Sequence, residues 1–348
     1  MNKITVIIPC HNTALFIDRC MTSVTTQTIG IENLEIICID DASTDDTLHR
    51  LQTWEQRFPD NIILIPLDSN RKPGAARNIG LSYASTDLVS FVDSDDWLEP
   101  DCFEQLYSPM QQYDCDVVFC GFKRDPSGAL TYFDRDSRSY IEENHLIIAD
   151  TEELTKHLMK DKIMGRTPCG KLIRKTLLTD HAIFFPEDLV YEDNFWIPLL
   201  HIYTKKLYVI ESPLYHWFVN LDSITLSKNV DFHTDWITIQ MIKLHEYERR
   251  GLFQKYREEL EFDLLTDAAG FMSLLISQYD NPCYSLYQLE KELVTSRIPD
   301  YKHSKYAADF LSYSGSLLEA LYAPLDRKQF QEFAKTIKQV WKDLGQAL

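Results

Sequence analysis

No two cysteines of this chain stand in a CxxC spacing; the eight lie singly at 10, 20, 38, 102, 115, 120, 169 and 283. That spacing argues against a zinc ribbon and against a disulfide framework. Cys10, Cys38 and Cys120 fall in or beside apolar runs, as buried, reduced thiols of a cytoplasmic protein do. Long hydrophobic runs are missing too: nothing approaches the ~20 residues needed to cross a bilayer. The opening MNKITVIIPCHN has a six-residue apolar run before polar residues, which reads as a strand and not as a signal peptide. Positive charge is scarce, with 35 bases against 53 acids and a formal net charge of −18. A body this acidic repels phosphate backbones, so the expectation is no nucleic-acid partner. Any phosphate it binds must be met locally, by a metal, a helix N-terminus or a few placed bases. Neither a Walker lysine pattern nor a GxGxxG spacing is present, which leaves an ATPase and a dinucleotide-binding fold unsupported.

What is there is an ordinary globular composition, 45% hydrophobic and 25% charged over 348 residues, enough for two domains. The first hundred residues alternate regularly. Apolar strand candidates are Ile4–Pro9, Glu35–Asp40, Asn61–Leu67 and Leu88–Val92. Helix-length segments separate them at Thr13–Gln27, Asp45–Phe58 and Gly74–Ala84. Such repeats predict an α/β, Rossmann-like, mostly parallel sheet with helices on both faces. A further helix, a strand at Asp116–Phe122 and a hairpin turned at Asp125-Pro-Ser-Gly follow. Asp150-Thr-Glu-Glu153 resembles a capping box opening a helix toward Lys160. The stretch 165–230 reads as irregular, with Pro168, Pro186, Pro198 and Pro213. From about Asp231 the texture turns helical. Phe253, Tyr256, Leu260, Leu264, Ala268, Phe271 and Leu275 form an amphipathic stripe that Asn281-Pro282 ends. Phe330, Phe333, Ile337 and Trp341 form a last one. The expected division is a catalytic domain over 1–229 and a C-terminal helical domain over 230–348. That second domain serves core packing, self-association or peripheral contact with a membrane.

In open parallel sheets, ligands sit beyond the carboxyl ends of the strands. Here those ends carry Pro9–Asn12, Asp40–Asp41 and Asp93–Asp96, all on one rim. In Asp93-Ser94-Asp95, residues i and i+2 of an extended backbone point the same way, so two carboxylates face one place. Two hard oxygen ligands with open positions suit Mg2+ or Mn2+, which keep waters and take further ligands from phosphates. Asp114-Cys-Asp116 and Asp134-Arg-Asp136 repeat the spacing away from that rim and read as solvated acids. Ser43 or Asp45 makes a good N-cap, whereas Asp40 and Asp41 can accept from a nucleobase N–H or a ribose hydroxyl. Asn70-Arg-Lys-Pro-Gly-Ala-Ala-Arg77-Asn78-Ile-Gly80 brings small residues and local positive charge to the start of a helix.

The stretches "ITVIIPCHN", "EIICIDDASTDDT", "NRKPGAARNIGL" and "LVSFVDSDDWLEPD" resemble, in order and spacing, the motifs of family 2 glycosyltransferases. "PCGKLIRKTLL", "FFPEDLVYEDNFW" and "YHWFVNLDSITLS" continue the resemblance to about residue 227. It implies a GT-A fold and a metal-dependent, inverting transfer of sugar from a nucleotide-diphospho-sugar, UDP-sugar first among them. It also implies a saccharide or lipid-linked glycan acceptor in surface polysaccharide synthesis. Carried over residue by residue, it implies Pro9, His11, Asn12, Asp41, Arg77, Asp93 and Ser94 along the nucleotide sugar. Asp95 and Asp93, with His216, would hold Mn2+ or Mg2+. Asp193 would be the catalytic base with Glu192 beside it, and Glu187-Asp188 is the second choice. The expected location is cytoplasmic or at the inner face of the membrane. Where many relatives carry an Arg aimed at the diphosphate, this chain has Trp217, Phe218, Val219 and Asn220; Lys171, Arg174 and Lys228 are the bases that could compensate. Two alternatives are a sugar nucleotidyltransferase, disfavoured by Pro-Cys-His-Asn after the first strand, and an inactive carbohydrate-binding or scaffold protein.

Overall fold

The computed structural model describes residues 3–125, 144–149, 151–218, 230–310 and 313–343. These residues form two compact units, one ending at Phe218 and one beginning at Val230. The hairpin at Asp125-Pro-Ser-Gly, Asp134-Arg-Asp136, Asp150, Lys228 and the Ser-Ile-Thr tail lie outside the described residues.

The first unit is built on nine strands: β1 Ile4–Cys10, β2 Leu34–Asp40, β3 Ile62–Pro66, β4 Leu88–Phe91, β5 Trp97–Leu98, β6 Val117–Asp125, β7 His145–Ile148, β8 Lys171–Arg174 and β9 Lys206–Phe218. Their order is β3-β2-β1-β4-β8-β6-β9-β5, with β7 paired to β9. The block β3-β2-β1-β4 is parallel. Beyond it, β8 runs antiparallel to β4 and β6, and β9 runs parallel to β6. The predicted parallel sheet is therefore the first half of a mixed one. Both faces of β1 and β2 are covered, which is why their sequences are nearly continuous apolar runs. Of the two carboxylates β2 buries, Glu35 and Asp40, Glu35 accepts from the Thr5 hydroxyl at 2.5 Å and the Ser85 hydroxyl at 2.6 Å, so it is not left bare.

The helices of this unit are α1 Ile17–Thr25, α2 Thr47–Arg57, α3 Lys72–Tyr83, α4 Cys102–Tyr113, α5 Glu152–Asp161, α6 Lys175–Asp180 and α7 Asp193–Tyr203. Helix α1 buries Ile17, Cys20, Met21 and Val24, steps of three and four that put one stripe on the sheet. Helix α3 comes closer because it is made of small residues. A Cβ on Gly80 would lie 2.4 Å from Ile7 Cγ2 and 2.9 Å from Ile39 Cδ1. At α5, Thr151 is the N-cap, accepting from the Leu154 amide at 3.3 Å. All eight cysteines are free thiols, seven of them buried.

The irregular reading of 165–230 is corrected. The stretch holds β8, α6, α7 and the thirteen residues of β9. Proline misled the pattern for a local reason. Pro213 sits opposite Gly121 where the β6–β9 register slips, a place where a strand tolerates a missing N–H. Pro198 lies inside α7, whose Trp196, Ile197, Leu199 and Leu200 are buried and hold the helix in place.

The second unit is helical as expected: α8 Val230–Arg249, α9 Phe253–Gln278, α10 Tyr284–Arg297, α11 Tyr313–Tyr322 and α12 Arg327–Asp343. Its core is not purely apolar. Lys243, fully buried, donates to Asp263 at 2.6 Å and also to Asp267. A buried cation survives only with such paired anions, and removing one partner would strand the other.

Replacing Gly80 by Ala is expected to lower stability by about 1–3 kcal/mol through overpacking between α3 and β1. A urea titration would read this as a lower midpoint at unchanged slope; an unchanged midpoint would refute the close approach.

Candidate active site

The carboxyl ends of β1, β2 and β4 converge as the alternation required, and the loops there are tied to one another. His11 Nδ1 lies 2.7 Å from the Asp41 carbonyl, and its Nε2 is 3.1 Å from the Asn70 side-chain amide. Asn12, at φ 53°, accepts from the Thr44 amide at 2.8 Å. Asp41 is buried and accepts from the Arg71 amide at 2.6 Å, which fixes the start of α3 against the end of β2. Pro9 is the half-buried penultimate residue of β1.

The acids after β4 alternate in exposure. Asp93 and Asp95 are half-buried, while Ser94 and Asp96 are buried. Ser94 is buried, its hydroxyl close to the Cys10 thiol. Asp96 answers why three acids can share four positions. It leaves the others, accepting from the Tyr215 hydroxyl at 2.6 Å and from the Phe218 amide at 2.8 Å. Burial, and then Asp95 and Asp93, push its carboxyl well above the usual range. The Tyr215 oxygen in turn accepts from the Asp93 amide at 3.1 Å. One hydroxyl thus joins the buried acid to the backbone of the half-buried Asp93.

Arg77 is the centre of the site. It is buried, and its guanidinium donates to Asp93 at 2.8 Å and to Glu192. Burial works against its charge, but Asp93 and Glu192 outweigh burial and raise its pKa above the ordinary value. Its Nε has no partner. Helix α3 also clamps the loop leading to Glu192. Asn78 exchanges hydrogen bonds of 2.8 and 2.9 Å with the backbone of Phe185. Gly74 lets Pro186 press in, for a Cβ there would lie 2.2 Å from its carbonyl oxygen. Arg71 pairs with Glu187 and Asp188, each at 2.8 Å. That second-choice acid pair is therefore engaged in holding the loop.

Asp193, the first residue of α7, accepts from the Asn194 amide at 2.9 Å. Burial, with Glu192 adding and Arg77 opposing, pushes its carboxyl up to about 7. A carboxylate poised there gives and takes a proton near neutrality.

The remaining candidates are placed elsewhere. His216 is buried against the Trp97 ring at 3.4 Å, and its Nε2 is 2.6 Å from Glu99. Lys171 is buried, donates to the Thr167 and Cys169 carbonyls at 2.6 and 3.2 Å, and burial lowers its pKa to about 7. Arg174 pairs with Asp114 at 2.6 Å. Neither supplies a free base. Sequence reasoning missed Arg19, which donates to the Asp95 carbonyl at 2.8 Å with its guanidinium 4.7 Å from the Phe218 ring. It also missed Tyr215 as the partner of Asp96. No local pattern marks either contact, since both cross long stretches of chain.

Among the described residues no three His, Cys, Asp or Glu gather into a metal cage. Asp93 and Asp95 nonetheless fit a hard divalent ion bound through open positions: two half-exposed carboxylates, two residues apart, at a strand's end.

The sequence profile described as "Glycosyl transferase family 2" matches residues 5–182, just over half of the chain. "Glycosyltransferase GlyA" of Streptococcus pneumoniae is 26% identical over 301 residues, 84% of this chain and 41% of that protein. The "Poly(ribitol-phosphate) beta-glucosyltransferase" of Bacillus spizizenii is 26% identical over 226 residues, 65% of this chain and 33% of that protein. The chain thus spans less than half the length of either. Among solved structures, residues 1–349 of S. aureus TarS in complex with UDP-GlcNAc superpose with a TM-score of 0.63 at 20% identity. That match covers 97% of this chain and 92% of that one. The likeness extends over sheet and helices alike and shows the same fold, the GT-A arrangement.

Tyr215→Phe is expected to cost about 1–3 kcal/mol of stability, because the buried Asp96 carboxyl loses a partner. Amide exchange at Asp93 should quicken in the same variant, since its acceptor is gone. Unchanged exchange and stability together would refute the link.

Proposed function

The chain belongs to glycosyl transferase family 2, and from that premise we propose a UDP-sugar donor, a polyol-phosphate or related cell-surface polysaccharide as acceptor, and transfer with inversion. That it is a glycosyltransferase follows from the family, and it displaces the nucleotidyltransferase and inactive-scaffold alternatives. The donor is supported by the UDP-GlcNAc held by a protein of the same fold, and the acceptor by the poly(ribitol-phosphate) enzyme among the relatives. The catalytic domain is assigned to 1–229 and the helical domain to 230–348.

The observation that carries the reading is Arg77 spanning Asp93 and Glu192, one acid from the turn after β4 and one from the start of α7 on a single buried cation. Donor and acceptor chemistry then meet across that residue. Pro9, His11, Asn12 and Asp41 border the nucleotide on the β1–β2 side. Asp95, with Asp93, would hold Mn2+ or Mg2+, which when bound neutralises charge on the departing diphosphate. Arg19 steadies that turn through the Asp95 carbonyl. Asp193 takes the proton from the acceptor hydroxyl as its oxygen attacks the anomeric carbon, and Glu192, held by Arg77, fixes the start of α7. With the acceptor oxygen itself as the nucleophile on the anomeric carbon and Asp193 as its base, the transfer is a single displacement, hence inversion.

Only the ionised form of Asp193 accepts a proton, and its carboxyl titrates at about 7. Transfer should therefore fall about tenfold per unit as pH drops below that value and level off above it. Asp193→Asn is expected to lose about 10²–10⁴-fold in transfer while binding UDP as the wild type does. Near wild-type transfer by that variant would remove Asp193 from the mechanism. The anomeric configuration of the product, read by proton NMR, tests inversion separately.

A further inference from the structure

One cation beside the site is unspent. The side chain of Arg124, near the end of β6, makes no hydrogen bond or ion pair with any described residue, and its Nε is buried without a partner. Its guanidinium lies over the Trp217 ring at 5.8 Å, and that ring is 38% exposed. In a chain of net charge −18, a guanidinium without an acid stands out.

The register shows where this pair is. Phe122 and Arg124 of β6 stand opposite Tyr215 and Trp217 of β9. Residues two apart on a strand share a face, and the Phe122 and Tyr215 rings touch at 4.9 Å. Arg124 and Trp217 therefore lie on the face where Tyr215 grips Asp93 and Asp96. Along the sheet, β6 is two strands past β4, away from β1 and β2. At the usual strand spacing that is roughly 10 Å. The β1–β2 side is thus across β4, and the pair stands on the other side of Asp93 and Asp96, joined to them through Tyr215.

We propose that Arg124 and Trp217 form an acceptor subsite for a phosphate-bearing polyol or sugar unit, which rests on the glycosyltransferase reading above. The exposed indole face stacks on the C–H face of a polyol or sugar ring, and the guanidinium takes two phosphate oxygens from its free amino groups. A planar fork already held on an aromatic ring loses little freedom on binding.

The test uses the full-length chain, with a synthetic ribitol-phosphate hexamer and UDP as separate probes in titration calorimetry. Arg124→Ala is expected to weaken the hexamer about 5- to 30-fold, and Trp217→Ala about 2- to 10-fold. UDP affinity and donor hydrolysis should stay within about twofold of wild type in both, with thermal melting confirming the fold. Equal losses for UDP would place the pair at the donor diphosphate and overturn the proposal. So would unchanged hexamer binding, or no hexamer binding by the wild type. Failure of the wild type to hydrolyse any sugar nucleotide would instead count against the enzyme reading itself.

Discussion

A buried guanidinium shared by two carboxylates is the constraint on which the site depends. Without Asp93 and Glu192 the buried charge of Arg77 would be left uncompensated, and without Arg77 the buried Glu192 would lose its counter-ion. The three are mutually required. Together they fix the distance between the turn after β4 and the start of α7, segments far apart in the chain. A net charge of −18 makes this more than local bookkeeping, because the rim is crowded with acids that only a few placed cations can hold together.

Each acid near the rim is given a separate environment, and environment decides its task. Asp96 is turned inward and satisfied by Tyr215 and the Phe218 amide. Asp93 and Asp95 stay half-exposed, with Arg19 holding the backbone between them and α1. Asp193 is desolvated enough to titrate near neutrality, whereas Glu192 one residue earlier is paired. Equivalent side chains thus divide into a buried anchor, two half-exposed acids, a desolvated acid and a counter-ion by where burial and hydrogen bonds fall. Helix α3 serves all of them. Its Arg71, Gly74 and Asn78 face the 185–192 loop and its Gly80 lets it lie close on the sheet.

Much of this was legible in the residues. The apolar runs of β1 and β2, the small residues of α3 and the i, i+2 acids after β4 state their structure locally, because period and residue size bear directly on burial. Reading 165–230 as irregular failed at Pro198 and Pro213, where neighbours in space absorb what proline costs in sequence. Ser94, by the same alternation, is buried beside Cys10 while Asp93 and Asp95 stay half-exposed. His216 and Lys171, both candidates by residue type, turn out to be held by Glu99 and by backbone carbonyls.

By itself, the sequence determined that a parallel β-α-β block ends in a rim of polar and acidic residues, since hydrophobic period and strand-end position are written along the chain. The tertiary structure alone decided which acids share a cation, which is buried, and which cation near the rim meets no acid among the described residues. Arg77 and Glu192 are 115 residues apart and Tyr215 and Asp96 are 119 apart, so their pairing depends on how strands order and loops close. Charge pairing is set by distance in space, and a linear pattern carries no record of it.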